Sequence, residues 1–592
     1  MLSALLAVIG LGACSSTGPQ PSPDLGLGSQ SLTLDGPSAR WHIRAHSIQR
    51  ASVESDPVTI ASGQSLEFVP LASNSSVERI DAYAIVNGRE ELLSSATAVS
   101  LDSDTVLRHP GAALSNGRVR IDLRPYLHET IRFKWVVKGT NPSAKVFLGG
   151  AQLSGLTHAV DRAPDVLMVC SDTHRYDYSA NESEVDLMPF LRSLSKERQS
   201  VVYRQAFSTA SWTLPAIASA MTGLSPRYHR TGQRGDPIDS GNQAKPPEGG
   251  QFPFGDRLFS AYAPSIVSLS DRLSEVGYNT AVVASNPLYF LSGLAFDGND
   301  IAVDTGTVPG DQVNEAALKA VASADPDEPL FLLVHYVDVH QWEPWYLKED
   351  SSSQAQDPEE RRQQIRESYS RAVQDVDRFL QRLIESWSIE RDWNETFFVF
   401  FSDHGEHLVD PDEHNPSHML RIGHGNSMSD TLLKIPLVIK YPSSMQPSSP
   451  TSDQSVSLVD LTPTILDVVG IDYDPKSLSG IPLPKLGVTD ETRALFADFQ
   501  LYGDSFSSVR SGAYKAVINL STDELLLSDW TTQAPVEGDT PDQRALVTNL
   551  SEDFESYRSA GAGMVSDASN DEGQIDSSQR QIDQLKSLGY IQ

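Results

Sequence analysis

Four short apolar runs constrain this chain more than anything else in it: Leu167-Met168-Val169-Cys170, Thr280-Ala281-Val282-Val283-Ala284, Leu330-Phe331-Leu332-Leu333-Val334 and Phe397-Phe398-Val399-Phe400-Phe401. Each has the length of a strand and almost nothing polar to show to water, the pattern of a strand buried on both faces. Between the last two, Ile365, Tyr369, Ala372, Val373, Val376, Phe379, Leu380, Leu383 and Ile384 recur at helical spacing, so an amphipathic helix packs one face on a sheet. Buried strands alternating with helices predict an α/β unit, a mostly parallel sheet wrapped by helices, over residues 163–485.

The flanks read differently. From Trp41 to Leu153 apolar and polar residues alternate with a period of two, as in Val119-Arg120-Ile121-Asp122-Leu123 and Ile131-Arg132-Phe133-Lys134-Trp135. That pattern belongs to half-buried strands and predicts an all-β sandwich over 41–155, preceded by a linker at 14–40. The stretch through Pro125-Tyr126 to Phe147-Leu148-Gly149 resembles galactose-binding-like jelly rolls, for which a spacer role and carbohydrate binding are equal expectations. Strand-like sequence returns around Ser508-Val509-Arg510 and Tyr514-Lys515-Ala516-Val517-Ile518, predicting a small α+β C-terminal subdomain over 486–592. Within it, Ser551 to Ser578 is acidic and rich in Ser, Gly and Asp, the composition of a loop before a last helix.

A formal charge of −32 over 592 residues excludes a nucleic-acid-binding surface, because phosphate backbones would be repelled. An anionic substrate would need a locally positive pocket. The two cysteines, Cys14 and Cys170, form no disulfide framework or cysteine metal site. Met1 to Ala13 is apolar but too short to span a bilayer, and Leu11-Gly12-Ala13-Cys14 matches the lipobox of bacterial lipoproteins. The expectation is a signal peptide at 1–13, a lipid on Cys14 that anchors the chain to a membrane, and, from Ser15 behind it, an outer-membrane location in the cell envelope.

In open α/β sheets, ligands bind beyond the carboxyl ends of strands. Three such places carry chemistry: Asp172 after the first apolar run, His335, Asp338 and His340 at the end of the third, and Asp403-His404-Gly405-Glu406 after the fourth. Oxygen donors with imidazole converging from separate strand ends suit a divalent cation. Thr213 precedes Pro215 and a run of small residues ending at Gly223, which places its hydroxyl at a helix N-cap, facing free backbone N–H groups. An N-cap threonine is also common without catalysis. His335 sits inside an apolar strand and is expected to be a core histidine outside the site. Asp338, His340 and His424 could alternatively gather a second metal.

These motifs, in this order, resemble the sulfatase family of the alkaline phosphatase superfamily. The carriers are Asp172-Thr173-His174-Arg175-Tyr176-Asp177, Thr213 with Pro215 and Thr222-Gly223, Gly277-Tyr278, His335 to His340, and Ser402 to Glu406. Further on come Gly423-His424-Gly425, Ile435-Pro436-Leu437-Val438-Ile439, Val459 to Thr464 and Leu588-Gly589-Tyr590. The resemblance implies a divalent cation (Ca, Mg, Mn or Zn) on Asp172, Asp403 and His404, a nucleophile at Thr213, and His340 and His424 at the ester oxygens. Three positions depart from the pattern. Thr213 replaces the cysteine that sulfatases convert to formylglycine, so no formylglycine is expected; Ile217 replaces an arginine; Thr173 replaces a frequent second aspartate ligand.

The implied activity is hydrolysis of sulfate or phosphate esters of glycans or lipid head groups through a covalent ester on Thr213. Two alternatives remain: the resemblance also implies transfer of phosphoglycerol or phosphoethanolamine groups, as threonine nucleophiles of the superfamily do, and Ile217 with Thr173 suggests a degenerate glycan-binding lipoprotein.

Overall fold

The computed structural model describes residues 27–560 except 28–29, 36–39, 49–51, 61–64, 74–76, 101–118, 127–128, 140–144, 155–162, 180–185, 238–250, 255–256, 263–265, 292, 295–298, 327, 348–357, 411–420, 446, 448–449, 484–492, 504, 530–533 and 537–539. The signal segment, Cys14, Ser15 and the terminal Leu588-Gly589-Tyr590 lie outside the described residues.

All four apolar runs are strands of one sheet: Val166–Ser171, Asn279–Ala284, Leu330–Tyr336 and Phe397–Phe401. They pair in parallel, with Cys170 opposite both Phe401 and His335, and His335 opposite Ala284. Because neighbouring strands run the same way in register, their carboxyl ends lie along a single edge of the sheet.

The Phe397–Phe401 strand shows why these runs carry no alternation. Phe397, Val399 and Phe401 pack into one apolar cluster, with Trp212, Leu214 and Ile217, while Phe398 and Phe400 pack into the other. Each such side chain withdrawn from water contributes about 1.5–3 kcal/mol. The helix Pro358–Glu390 covers the second face, with Ile365, Tyr369, Ala372, Val373, Val376, Leu380, Leu383 and Ile384 buried, as its spacing predicts.

The N-terminal strands form two sheets that enclose Leu66, Phe68, Phe133, Trp135 and Leu148. They begin earlier than Trp41: Gln30–Asp35 is a strand pairing with Arg40–Ala45, so part of the expected 14–40 linker is structured. Arg40–Ile48 also pairs antiparallel with Ile301–Asp304 at the border of the parallel sheet, Ile43 opposite Ile301. One layer of the N-terminal unit and the parallel strands thus form a single fifteen-stranded sheet among the described residues.

The C-terminal strands Phe506–Ser511, Tyr514–Asn519 and Glu524–Asp529 form a meander packed by the helix Pro541–Ala560. This corrects the expected loop for residues 551–560, the rest of that stretch lying outside the described residues: Leu550, Phe554 and Tyr557 recur on one helical face, and their burial against Val509, Ala516 and Ile518 orders the backbone despite an acidic composition.

Candidate active site

Three strand ends and one helix start meet at the carboxyl edge of the sheet. The helix runs Thr213–Thr222, with Trp212 as N-cap and Gly223 closing it at φ 70°. Thr213 is therefore the first helical residue rather than the cap, and Pro215 lies in the first turn. Their location at the N-terminal turn is unchanged, so the Thr213 side chain still lies at the positive end of a buried helix.

Thr213 Oγ1 lies 3.5 Å from Asp172 Oδ1 and 3.4 Å from His404 Nε2. His404 Nε2 is 3.8 Å from Asp172 Oδ1 and 3.4 Å from Asp403 Oδ2. All four residues are fully buried. Asp172, Asp403 and His404 are also the group among the described residues whose donor atoms could hold one metal ion.

Each carboxylate spends one oxygen on the protein. Asp403 Oδ1 accepts from Thr173 N–H at 3.1 Å and His404 N–H at 2.9 Å, whereas Oδ2 is buried without a hydrogen-bond partner. Asp172 Oδ2 receives the Asn286 amide at 3.0 Å and lies 3.1 Å from His335 Nε2, leaving Oδ1 toward Thr213. His404 Nδ1 lies 2.8 Å from the Gly405 carbonyl, an acceptor only, so Nδ1 carries the proton and Nε2 presents its lone pair.

Electrostatics require a counter-charge here. Burial and the facing Asp172 push Asp403 well above the ordinary carboxylate range. Burial alone would raise Asp172 too, but His340, His335 and His404 carry it below that range. Two buried carboxylates sharing a site hold one negative charge more readily than two. An orphaned buried oxygen, a second oxygen turned to the same point and an imidazole lone pair between them fit a divalent cation.

On the far side of His404 stand two more imidazoles. The His424 ring centroid is 4.6 Å from that of His404 and 5.0 Å from that of His340. His424 Nδ1 lies 3.3 Å from Glu406 Oε2; burial would lower its pKa, but Glu406 and then Asp172 bring it above the usual value. Burial lowers His340 to about 4 against the pull of Asp172. The Gln341 side-chain amide donates to His340 Nδ1 at 3.4 Å, so the neutral ring carries its proton on Nε2.

The site thus brings together Asp172, Thr213, His340, Asp403, His404 and His424. His335, expected outside, is against Asp172, because its strand runs two residues past the apolar run, to Tyr336, and delivers the ring to the same edge. Asp338 goes elsewhere: its Oδ1 accepts from Gly310 N–H at 3.2 Å, at the start of the helix Gly310–Ser323, and burial raises its pKa to about 7. It does not join His340 and His424 in a second metal group. Asn286 went unread, although it follows the Thr280–Ala284 run and the strand-end rule applied there would have found it. Ile217 is buried among apolar side chains, so no arginine charge occupies that turn.

Solved structures give faint likenesses. The phosphonate monoester hydrolase of Agrobacterium radiobacter is 16% identical, covers 67% of this chain and 96% of its own, and superposes with a TM-score of 0.47. The phosphonate monoester hydrolase of Silicibacter pomeroyi is 16% identical with a TM-score of 0.48, covering 68% of this chain and 97% of its own. A curated protein of Formosa agariphila described as a sulfatase is 28% identical over 117 residues, 18% of this chain and 20% of the relative, so the match spans about a fifth of that protein. The family model described as Sulfatase matches residues 164–471, more than half of the 592-residue chain. That span includes the strands, the Thr213 helix and every residue of the cluster just described, and the chain belongs to the sulfatase family.

Proposed function

We propose that the protein is a metal-dependent hydrolase of sulfate or phosphate esters in which Thr213 is the nucleophile. Asp172, Asp403 and His404 hold the cation, and His340 and His424 meet the ester oxygens. The observation that carries this reading is the convergence of Thr213 Oγ1, at 3.5 and 3.4 Å, on Asp172 Oδ1 and His404 Nε2.

When bound, a divalent cation supplies Lewis acidity that lowers the pKa of a coordinated oxygen and offsets charge on the ester. With the cation bound, Thr213 Oγ would lose its proton to solvent, enter as the alkoxide and be released again as the alkoxide; it forms a bond to sulfur or phosphorus while the bond to the departing ester oxygen breaks, and the N-terminal turn of its helix favours the negative charge. His424, oriented by Glu406 and charged more readily than a free imidazole, gives its proton to the leaving alcohol. Neutral His340 donates from Nε2 to a non-bridging oxygen. Water then attacks the same central atom, the bond to Thr213 Oγ breaks, and the proton that water releases restores His424.

A formylglycine hydrate can shed its adduct by collapsing to the aldehyde; threonine must be freed by this second attack. Phosphate esters are therefore expected to turn over at least as well as sulfate esters. Thr213→Ala should lower turnover by about three orders of magnitude while the protein still binds metal through Asp172, Asp403 and His404, and Asp403→Asn should remove both turnover and metal. Retained turnover in Thr213→Ala, or full metal occupancy in Asp403→Asn, contradicts the assignment. Cys14 is proposed as the lipidated membrane anchor and a glycan or lipid head group as the ester's carrier.

A further inference from the structure

The way each carboxylate is restrained says which cation the cluster takes. Asp172 Oδ2 accepts from the Asn286 amide, with His335 Nε2 3.1 Å away on the same oxygen. The Asn286 amide cannot turn its own oxygen inward, because Oδ1 already accepts from Leu288 N–H at 3.0 Å. Asp403 Oδ1 is occupied by two backbone N–H groups. Thr173, where the motif often has a further aspartate, sits at φ 57° with its hydroxyl donating to the Asp172 carbonyl at 2.7 Å, so it adds no carboxylate.

What remains for a cation is one oxygen from each aspartate, the His404 Nε2 lone pair and the Thr213 hydroxyl. Thr213 Oγ1 and His404 Nε2 stand 3.4 Å apart, Thr213 Oγ1 is 3.5 Å from Asp172 Oδ1, and His404 Nε2 is 3.8 and 3.4 Å from the Asp172 and Asp403 oxygens. Donors about 2.0–2.1 Å from a tetrahedral centre stand about 3.4 Å apart. Calcium takes six to eight oxygens and often bidentate carboxylates, which this arrangement withholds, while imidazole suits zinc and its first-row neighbours.

Building on the metal-dependent reading above, we propose that this site is selective for zinc over calcium. Asn286 and His335 are the positioning residues that enforce it by holding Asp172 to a single ligating oxygen. Second-sphere groups of this kind commonly change metal affinity by about 10–100-fold when removed.

The test uses chelator-stripped full-length protein and needs no turnover. Zn²⁺, Mn²⁺, Mg²⁺ and Ca²⁺ are titrated calorimetrically, and Co²⁺ is added as a spectroscopic probe. The expected result is one Zn²⁺ per chain, bound at least about 100-fold more tightly than Ca²⁺, and the strong visible absorption of four- or five-coordinate Co²⁺. Asn286→Ala should narrow the preference over Ca²⁺ by about tenfold or more. Comparable Ca²⁺ affinity, or the weak spectrum of six-coordinate Co²⁺, overturns the selectivity. An unchanged preference in folded Asn286→Ala overturns the positioning role. Failure of every dication to bind, or binding that persists in Asp403→Asn, overturns the metal-dependent reading itself, so the two failures are told apart.

Discussion

The two strand ends that supply the facing carboxylates are built in opposite ways. Asp403 is held by backbone groups: the Thr173 and His404 N–H groups grip it, Ser402 Oγ donates to the His404 carbonyl at 2.7 Å, and Gly405 N–H donates to the Leu432 carbonyl at 2.7 Å. Asp172 depends instead on side chains from two other strand ends, Asn286 and His335. A backbone grip survives most side-chain changes and fails when the loop's support fails. A side-chain grip fails one substitution at a time.

That difference is broken most sharply through the support of the Asp403 loop. The helix Asp430–Leu433 carries the Leu432 carbonyl that receives Gly405, and the C-terminal meander pins this helix through Asp430, which is paired with both Arg510 and Lys515. Asp430→Asn leaves two buried cations uncompensated and should cost about 3–5 kcal/mol in urea unfolding at neutral pH. Burial opposes ionisation of Asp430, but Lys515 and then Arg510 hold it well below the ordinary carboxylate range. A depressed folded-state pKa stabilises the fold above the unfolded value and loses that contribution as pH falls. The gap between wild type and variant should therefore shrink below about pH 4; a gap equal at pH 3 and pH 7 contradicts it.

A smaller effect on stability, with a larger one on the site, is expected at Gly405. A Cβ there would overlap the Thr431 carbonyl oxygen, which is backbone and cannot swing aside. Gly405→Ala should cost about 1–3 kcal/mol and weaken metal binding, because His404 Nδ1 is referenced to the Gly405 carbonyl. Unaltered metal affinity in a folded variant would show that the loop tolerates displacement, against the comparison drawn here.

The same contrast explains what could be read from the sequence. Asp403 and His404 follow a run of five buried residues and declare themselves by position, as do the parallel strands and the long amphipathic helix, whose patterns are local. The Asn286 and His335 contacts to Asp172 join residues separated by more than a hundred positions, and a histidine in an apolar strand looks identical whether it meets solvent, core or carboxylate. Asp338 carried the opposite signal, since strand-end position alone suggested a ligand while a helix start supplied its partner. Pairing of Arg40–Ile48 with the parallel sheet was invisible for a related reason: an alternating strand reports that one face is buried, not which strand lies beside it.

The central claim, that Thr213 takes the transferred group, is tested most directly by acid quench during steady turnover of matched aryl phosphate and aryl sulfate, followed by peptide mass analysis. The account predicts a phosphoryl or sulfuryl increment on the peptide containing Thr213, absent in Thr213→Ala, with the phosphate ester turned over at least as fast. Turnover without any adduct at Thr213, or a sulfate preference that depends on Thr213, would contradict it.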